Sequence, residues 1–91
     1  MAMKSWRLWS FKKMSEALPE DVQAQATKNF SLWRGNPWHP SLRFKEVSPG
    51  VWSIRINRNY RAFAEKHADG TYLWYWIGPH RTYDKLLREQ R

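Results

Sequence analysis

The chain contains no cysteine. Disulfide staples and thiolate metal sites are therefore excluded, and the composition suits a reducing compartment such as the cytoplasm. Long apolar runs are missing as well, since nothing approaches the roughly 20 consecutive apolar residues of a membrane helix. The first ten residues carry Lys4 and Arg7 without an apolar stretch, so they do not read as a signal peptide. Acid is scarce: eight Asp and Glu stand against 16 Lys and Arg, a formal net charge of +8. A field of that sign on 91 residues points to an anionic partner, either nucleic acid or an acidic protein segment. The three histidines are scattered without metal-ligand spacing, and neither a glycine-rich phosphate loop nor a nucleophile elbow is present. The expectation is one domain with no metal, no cofactor and no membrane span.

Tryptophan is what the chain has in excess. Seven residues supply more indole than a core of this size needs, so some rings should lie on a surface that a partner covers.

Patterning predicts an α+β fold. Ser5 to Ser10 alternates and reads as a strand, with Trp6 and Leu8 on one face and Arg7 and Trp9 on the other. Ser10 is placed to cap a helix over Phe11 to Leu18, with Phe11, Met14 and Leu18 in one stripe. Pro19 opens a second helix, Glu20 and Asp21 follow in its first turn, and Val22, Ala26, Phe30 and Trp33 recur at helical spacing up to Arg34. The two make a helical hairpin, followed by the proline-restricted connector Asn36 to Pro40. An antiparallel meander of three to four strands is expected next: Leu42 to Val47, Val51 to Ile56, Tyr60 to Lys66 and Thr71 to Ile77. Its turns are Ser48-Pro49-Gly50, Asn57-Arg58-Asn59 and Asp69-Gly70. Gly78-Pro79 ends the last strand, and a short basic helix runs from Tyr83 to Gln90.

Two-residue alternation puts Trp52, Ile54 and Ile56 on one face and Ser53, Arg55 and Asn57 on the other. On the following strand Arg61, Phe63 and Glu65 oppose Tyr60, Ala62 and Ala64, whose small side chains leave room for packed helices. Arg55 and Arg61 should therefore project from the face that the helical hairpin leaves uncovered, with Lys45 on the neighbouring strand and Arg58 in the turn. Arginine suits phosphate because its planar fork donates two parallel hydrogen bonds, and nearby rings can stack on splayed bases. Beyond the last strand, His80 supplies an imidazole, a type of side chain that can gain or lose a proton in general acid–base chemistry, Tyr83 a hydroxyl, and Arg81 a second phosphate fork. His39, between Trp38 and Pro40, reads as a turn residue, and His67 as an exposed one.

Two sets of residues carry a family resemblance. One is Arg55-x-x-Arg58-x-Tyr60-Arg61-Ala62 with Ile77-Gly78-Pro79-His80-x-x-Tyr83-Asp84-x-Leu86, and the other is Asn36-Pro37-Trp38-His39-Pro40-Ser41-Leu42. Together, in this order, the chain resembles the RelE/ParE toxin superfamily, in its ParE-like branch of cytotoxic translational repressors. The resemblance implies the toxin of a type II toxin–antitoxin system, held inactive by a cognate antitoxin. It implies a metal-independent endoribonuclease that cuts messenger RNA on the ribosome, or else an inhibitor of DNA gyrase. A basic binding module without catalysis is the remaining alternative. By position, Arg61 matches the arginine that contacts the scissile phosphate, His80 falls where ribonuclease relatives carry a catalytic Arg or His, and Tyr83 matches a tyrosine of ribosome-dependent members. Arg55 lies near a basic residue of the preceding strand, while Lys45 and Arg58 correspond only as basic neighbours. Pro79-His80 departs from the commoner basic pair.

Overall fold

The structure, a computed structural model, describes residues 3–89. Five strands form one mixed sheet in the order β1-β5-β4-β3-β2. They are β1 (Ser5–Arg7), β2 (Lys45–Ser48), β3 (Val51–Asn57), β4 (Tyr60–Lys66) and β5 (Tyr72–Pro79). Helices α1 (Trp9–Glu16) and α2 (Glu20–Gly35) cover one face, and α3 (His80–Glu89) lies on the other. β2 to β5 make the expected antiparallel meander, and β1 adds to it in parallel, Ser5 opposite Tyr72 and Arg7 opposite Trp74. Among the described residues no helix is long and apolar enough to cross a membrane.

The first strand is shorter than the alternation suggested. Leu8 donates its N–H to the Trp74 carbonyl, which extends the pairing with β5, and its own carbonyl then accepts from Lys12. The helix therefore begins at Trp9, Leu8 takes the cap position with no side-chain cap bond, and Ser10 lies inside the helix. Trp9 consequently leaves the strand pattern and stands 73 % exposed. Phe11 is buried, with Met14 and Leu18 packed against the core as the stripe required. The hairpin is tied by Gln23, whose amide donates to the carbonyls of Leu18 (2.7 Å) and Glu16 (3.1 Å), satisfying acceptors that the end of α1 leaves free.

Leu42 does not start a strand. Pro40–Leu42 is a 3-10 turn whose first free N–H, that of Ser41, donates to the His39 ring at 3.2 Å. Leu42 is thereby driven into the core, Arg43 takes a left-handed φ of 47°, and β2 starts at Lys45. The turns of the meander form where expected. Gly50 has φ of 75° and Gly70 of 88°, values open to glycine at no steric cost. The Asn57 side chain accepts from the Asn59 N–H at 2.7 Å.

The principal core lies between the sheet and the hairpin. Trp33 is fully buried and meets Trp74, Tyr72 and Phe44 edge to face, with centroids 5.2, 5.4 and 5.6 Å away. Edge-to-face pairs add about 0.5–1.5 kcal/mol each beyond the area they bury. Ala62 and Ala64 are fully buried beneath the helices, the close approach that their size permits.

Candidate functional site

The face opposite the hairpin is divided. Its centre is a second, smaller core beneath α3, where Ser53 and Phe63 are buried although they lie on the supposedly open side. A bulge in β5 makes this possible. Phe63 faces Trp76 while Ala64 faces Trp74, so Tyr75 is the extra residue and both Tyr75 and Trp76 reach Phe63 (6.1 and 5.3 Å). Tyr83 of α3 closes the cluster. It stacks on Phe63 at 5.1 Å, its hydroxyl lies 3.3 Å from the Ser53 hydroxyl, and it is 6 % exposed. The tyrosine expected beside the reacting groups is thus a buried packing residue.

At the edge of that core the sheet carries its charge. Arg55 and Arg61 sit directly opposite each other on β3 and β4, both half-buried. The Arg55 backbone is fixed from the far side: Asn29 of α2 donates its amide to the carbonyls of Ile56 (2.6 Å) and Arg55 (3.3 Å), where the β3–β4 register shifts. The Arg61 guanidinium donates to the carbonyls of Asn57 (2.6 Å) and Tyr60 (3.0 Å), which anchors it at the turn. Arg55 Nε is buried without a partner. Burial first, then the neighbouring charge of Arg55, and further off that of Arg43, hold the Arg61 guanidinium below its ordinary pKa; Tyr83 and Asp84 pull the other way. Among the described residues no carboxylate forms an ion pair with any arginine. Two arginines on opposite strand positions, with no counter-ion among the described residues, can take up an anion.

The remaining predicted residues surround this pair. Lys45 is exposed opposite Ser53, on the same face one strand out. Arg58 is exposed at the tip of the β3–β4 turn, and Arg81 is exposed in the first turn of α3. His80 comes to the same end of the sheet, because Gly78 lies opposite Arg61 and the His80 N–H donates to the Asn59 carbonyl at 2.6 Å. That bond turns the chain directly from β5 into α3, so the helix begins at His80 and not at Tyr83; its expected end at Gln90 lies outside the described residues. His39 and His67 stand in turns away from this cluster, His39 bonded to Ser41 and His67 beside Glu65.

Two residues that the sequence patterns contain, but to which they assign no role, join the site. Asp84 becomes the i+4 neighbour of His80, with Oδ2 3.2 Å from Nδ1. The spacing is visible in the sequence, but only once His80 is known to be helical. Trp76 is the other: its ring covers Gly78, where an added Cβ would come within 2.7 Å of it, and it leaves a half-exposed indole surface next to the Arg61 strand position.

The fold is that of known toxins. It matches E. coli toxin RelE in the free state, in a form with two arginine-to-alanine substitutions (TM-score 0.69, 14 % identity, 99 % of this chain and 94 % of that chain). It also matches YafQ from E. coli (TM-score 0.69, 9 % identity, 89 % and 97 %). A chain of the toxin–antitoxin complex RelBE2 from Mycobacterium tuberculosis gives a TM-score of 0.61 at 18 % identity, over 88 % and 100 %. At such identities the likeness is one of fold. No curated protein sequence matches significantly. Residues 20–85, from the second helix through the arginine pair to the start of the C-terminal helix, match the ParE-like toxin domain, and the chain belongs to that family.

Proposed function

We propose that the chain is the toxin of a type II toxin–antitoxin pair and that, once free, it acts in the cytoplasm as a metal-independent endoribonuclease on ribosome-bound messenger RNA. The observation that carries this reading is the Arg55–Arg61 pair, set on a rigid hairpin without a counter-ion among the described residues, with His80 at its edge.

The chemistry is internal transfer. A base removes the proton of an RNA 2′-hydroxyl, the oxygen attacks the adjacent phosphorus, and the bond to the 5′-oxygen breaks as that oxygen gains a proton. Arg61 and Arg55 stabilise the charge that grows on the phosphoryl oxygens, where a fixed donor is worth about 3–4 kcal/mol. His80 carries a proton in this step. Tyr83, buried under the His80 ring at 5.7 Å, holds that ring in place, and the indole of Trp76 offers a stacking surface for a base. Lys45, Arg58 and Arg81 extend the positive surface along the RNA backbone.

The partner is a cognate antitoxin. Similar folds have been solved as the complexes RelBE2 and DinJ–YafQ. A chain of net charge +8 with Trp6, Trp9 and Trp38 each more than 60 % exposed suits an acidic, amphipathic segment that folds as it binds.

Expression of the parent, Arg61→Ala and His80→Ala in cells without antitoxin tests the reading. The parent should arrest growth and generate new messenger RNA ends at codon boundaries, and both variants should lose those ends. Cleavage by both variants at the parental level would overturn the assignment. Intact messenger RNA with supercoiling defects would instead identify DNA gyrase as the target, and harmless expression would leave a basic binding module.

A further inference from the structure

We infer that Asp84 is a positioning residue that favours the His80 tautomer with its proton on Nδ1, so that Nε2 is the general base of the reaction. The inference rests on the ribonuclease reading for its purpose but not for its geometry.

Three contacts fix the ring before any substrate arrives. The backbone is held by the bond from the His80 N–H to the Asn59 carbonyl. The ring plane lies 29° from that of Tyr83, which is itself clamped by Phe63 and Ser53. The in-plane rotation is then set by Asp84, whose Oδ2 lies 3.2 Å from Nδ1. The pair is an ion-pair contact between half-exposed side chains, and the carboxylate charge facing Nδ1 favours an N–H there over a lone pair. In the neutral ring that leaves the lone pair on Nε2, for which no partner is found among the described residues. After proton transfer the imidazolium lies against the same carboxylate, which stabilises it. Asp84 also acts on Arg61 by its charge but forms no ion pair with it. In a chain with twice as many cations as anions, this carboxylate is committed to the histidine.

The molecule contains its own control. In His39 the Ser41 N–H donates to Nδ1 at 3.2 Å, which favours the ring hydrogen on Nε2, with the Ser41 hydroxyl at 2.8 Å then donating to Nδ1 as well. The two histidines should show opposite tautomers in one spectrum.

The test is a two-bond proton–nitrogen correlation spectrum of the full chain with nitrogen-15 histidine, recorded where the imidazoles are neutral. His80 should be protonated on Nδ1 and His39 on Nε2. Asp84→Ala should move His80 toward the Nε2 form and leave His39 unchanged, and Asp84→Glu should restore it. Single-turnover cleavage on ribosomes should fall on the order of tenfold in Asp84→Ala with substrate affinity unchanged, a part of the roughly 100- to 10,000-fold that proton transfer contributes. A parental His80 with its hydrogen on Nε2, or an Asp84→Ala protein that cleaves at the parental rate, would overturn the inference while the ribonuclease reading stands. The inferred tautomer in a chain that cuts no RNA would have the opposite effect, removing the proposed reaction and keeping the His80–Asp84 pair.

Discussion

The two faces of one sheet have been put to different uses. The hairpin face is closed by 24 helical residues, eight in α1 and 16 in α2, and its contacts are apolar and interlocked around Trp33. The opposite face is covered, among the described residues, by the ten residues of α3. That helix seals Phe63 and Ser53 but leaves the Arg55–Arg61 half uncovered. The difference teaches where the stability resides and where it has been given up. A buried guanidinium Nε without a partner, and a like charge across from it, persist because the other face holds the strands in place.

Substitutions can break this contrast, and the largest effect belongs to the covered face. Trp33→Ala should cost about 3–5 kcal/mol, read as a lower urea midpoint, since it empties the centre of an aromatic cluster. On the other face the sign reverses. A base whose folded pKa is depressed costs stability at every pH below that pKa, which for Arg61 includes the whole neutral range. Arg55→Met removes both the repulsion and the unpartnered Nε, so thermal unfolding should show a gain of about 1 kcal/mol together with weaker RNA binding. A smaller effect is expected at the rim. Arg81→Gln should make the salt dependence of RNA binding shallower by about 0.7 in log–log slope, one phosphate contact on a single strand. The smallest lies far from both faces, in the β4–β5 turn. Hydrogen bonds from the Thr71 backbone and side chain hold the Asp69 carboxyl below its ordinary pKa. A depressed acid stabilises above its unfolded pKa, and that contribution disappears as pH falls through the folded one. Asp69→Ala should therefore slightly flatten the acid limb of the melting curve and leave RNA cleavage unchanged.

The sequence made the hairpin and the meander legible because each boundary is marked by local chemistry: Pro19, Ser48-Pro49-Gly50, Asn57-Arg58-Asn59 and Asp69-Gly70. Arg55 and Arg61 could be placed on one face because the sequence pattern puts a three-residue turn at Asn57 to Asn59; in the structure Asn57 pairs with Tyr60, and the register shift between Arg55 and Asn57 sets the two arginines opposite each other. What escaped was set by distant contacts. The bond from Leu8 to Trp74 moves the start of α1, and the one from His80 to Asn59 moves the start of α3. The second shift hides the His80–Asp84 pair and the burial of Tyr83 from any reading that begins the helix at Tyr83. The extra residue in β5 likewise sends Tyr75 and Trp76 to the same ring, which alternation forbids.

Single-turnover cleavage of messenger RNA on purified, programmed ribosomes addresses the arginine pair most directly. The account predicts that the parent cuts without added metal and that Arg61→Ala is slower by about 100- to 1,000-fold, with its melting temperature far above that of Trp33→Ala. Cleavage by Arg61→Ala at the parental rate would contradict it.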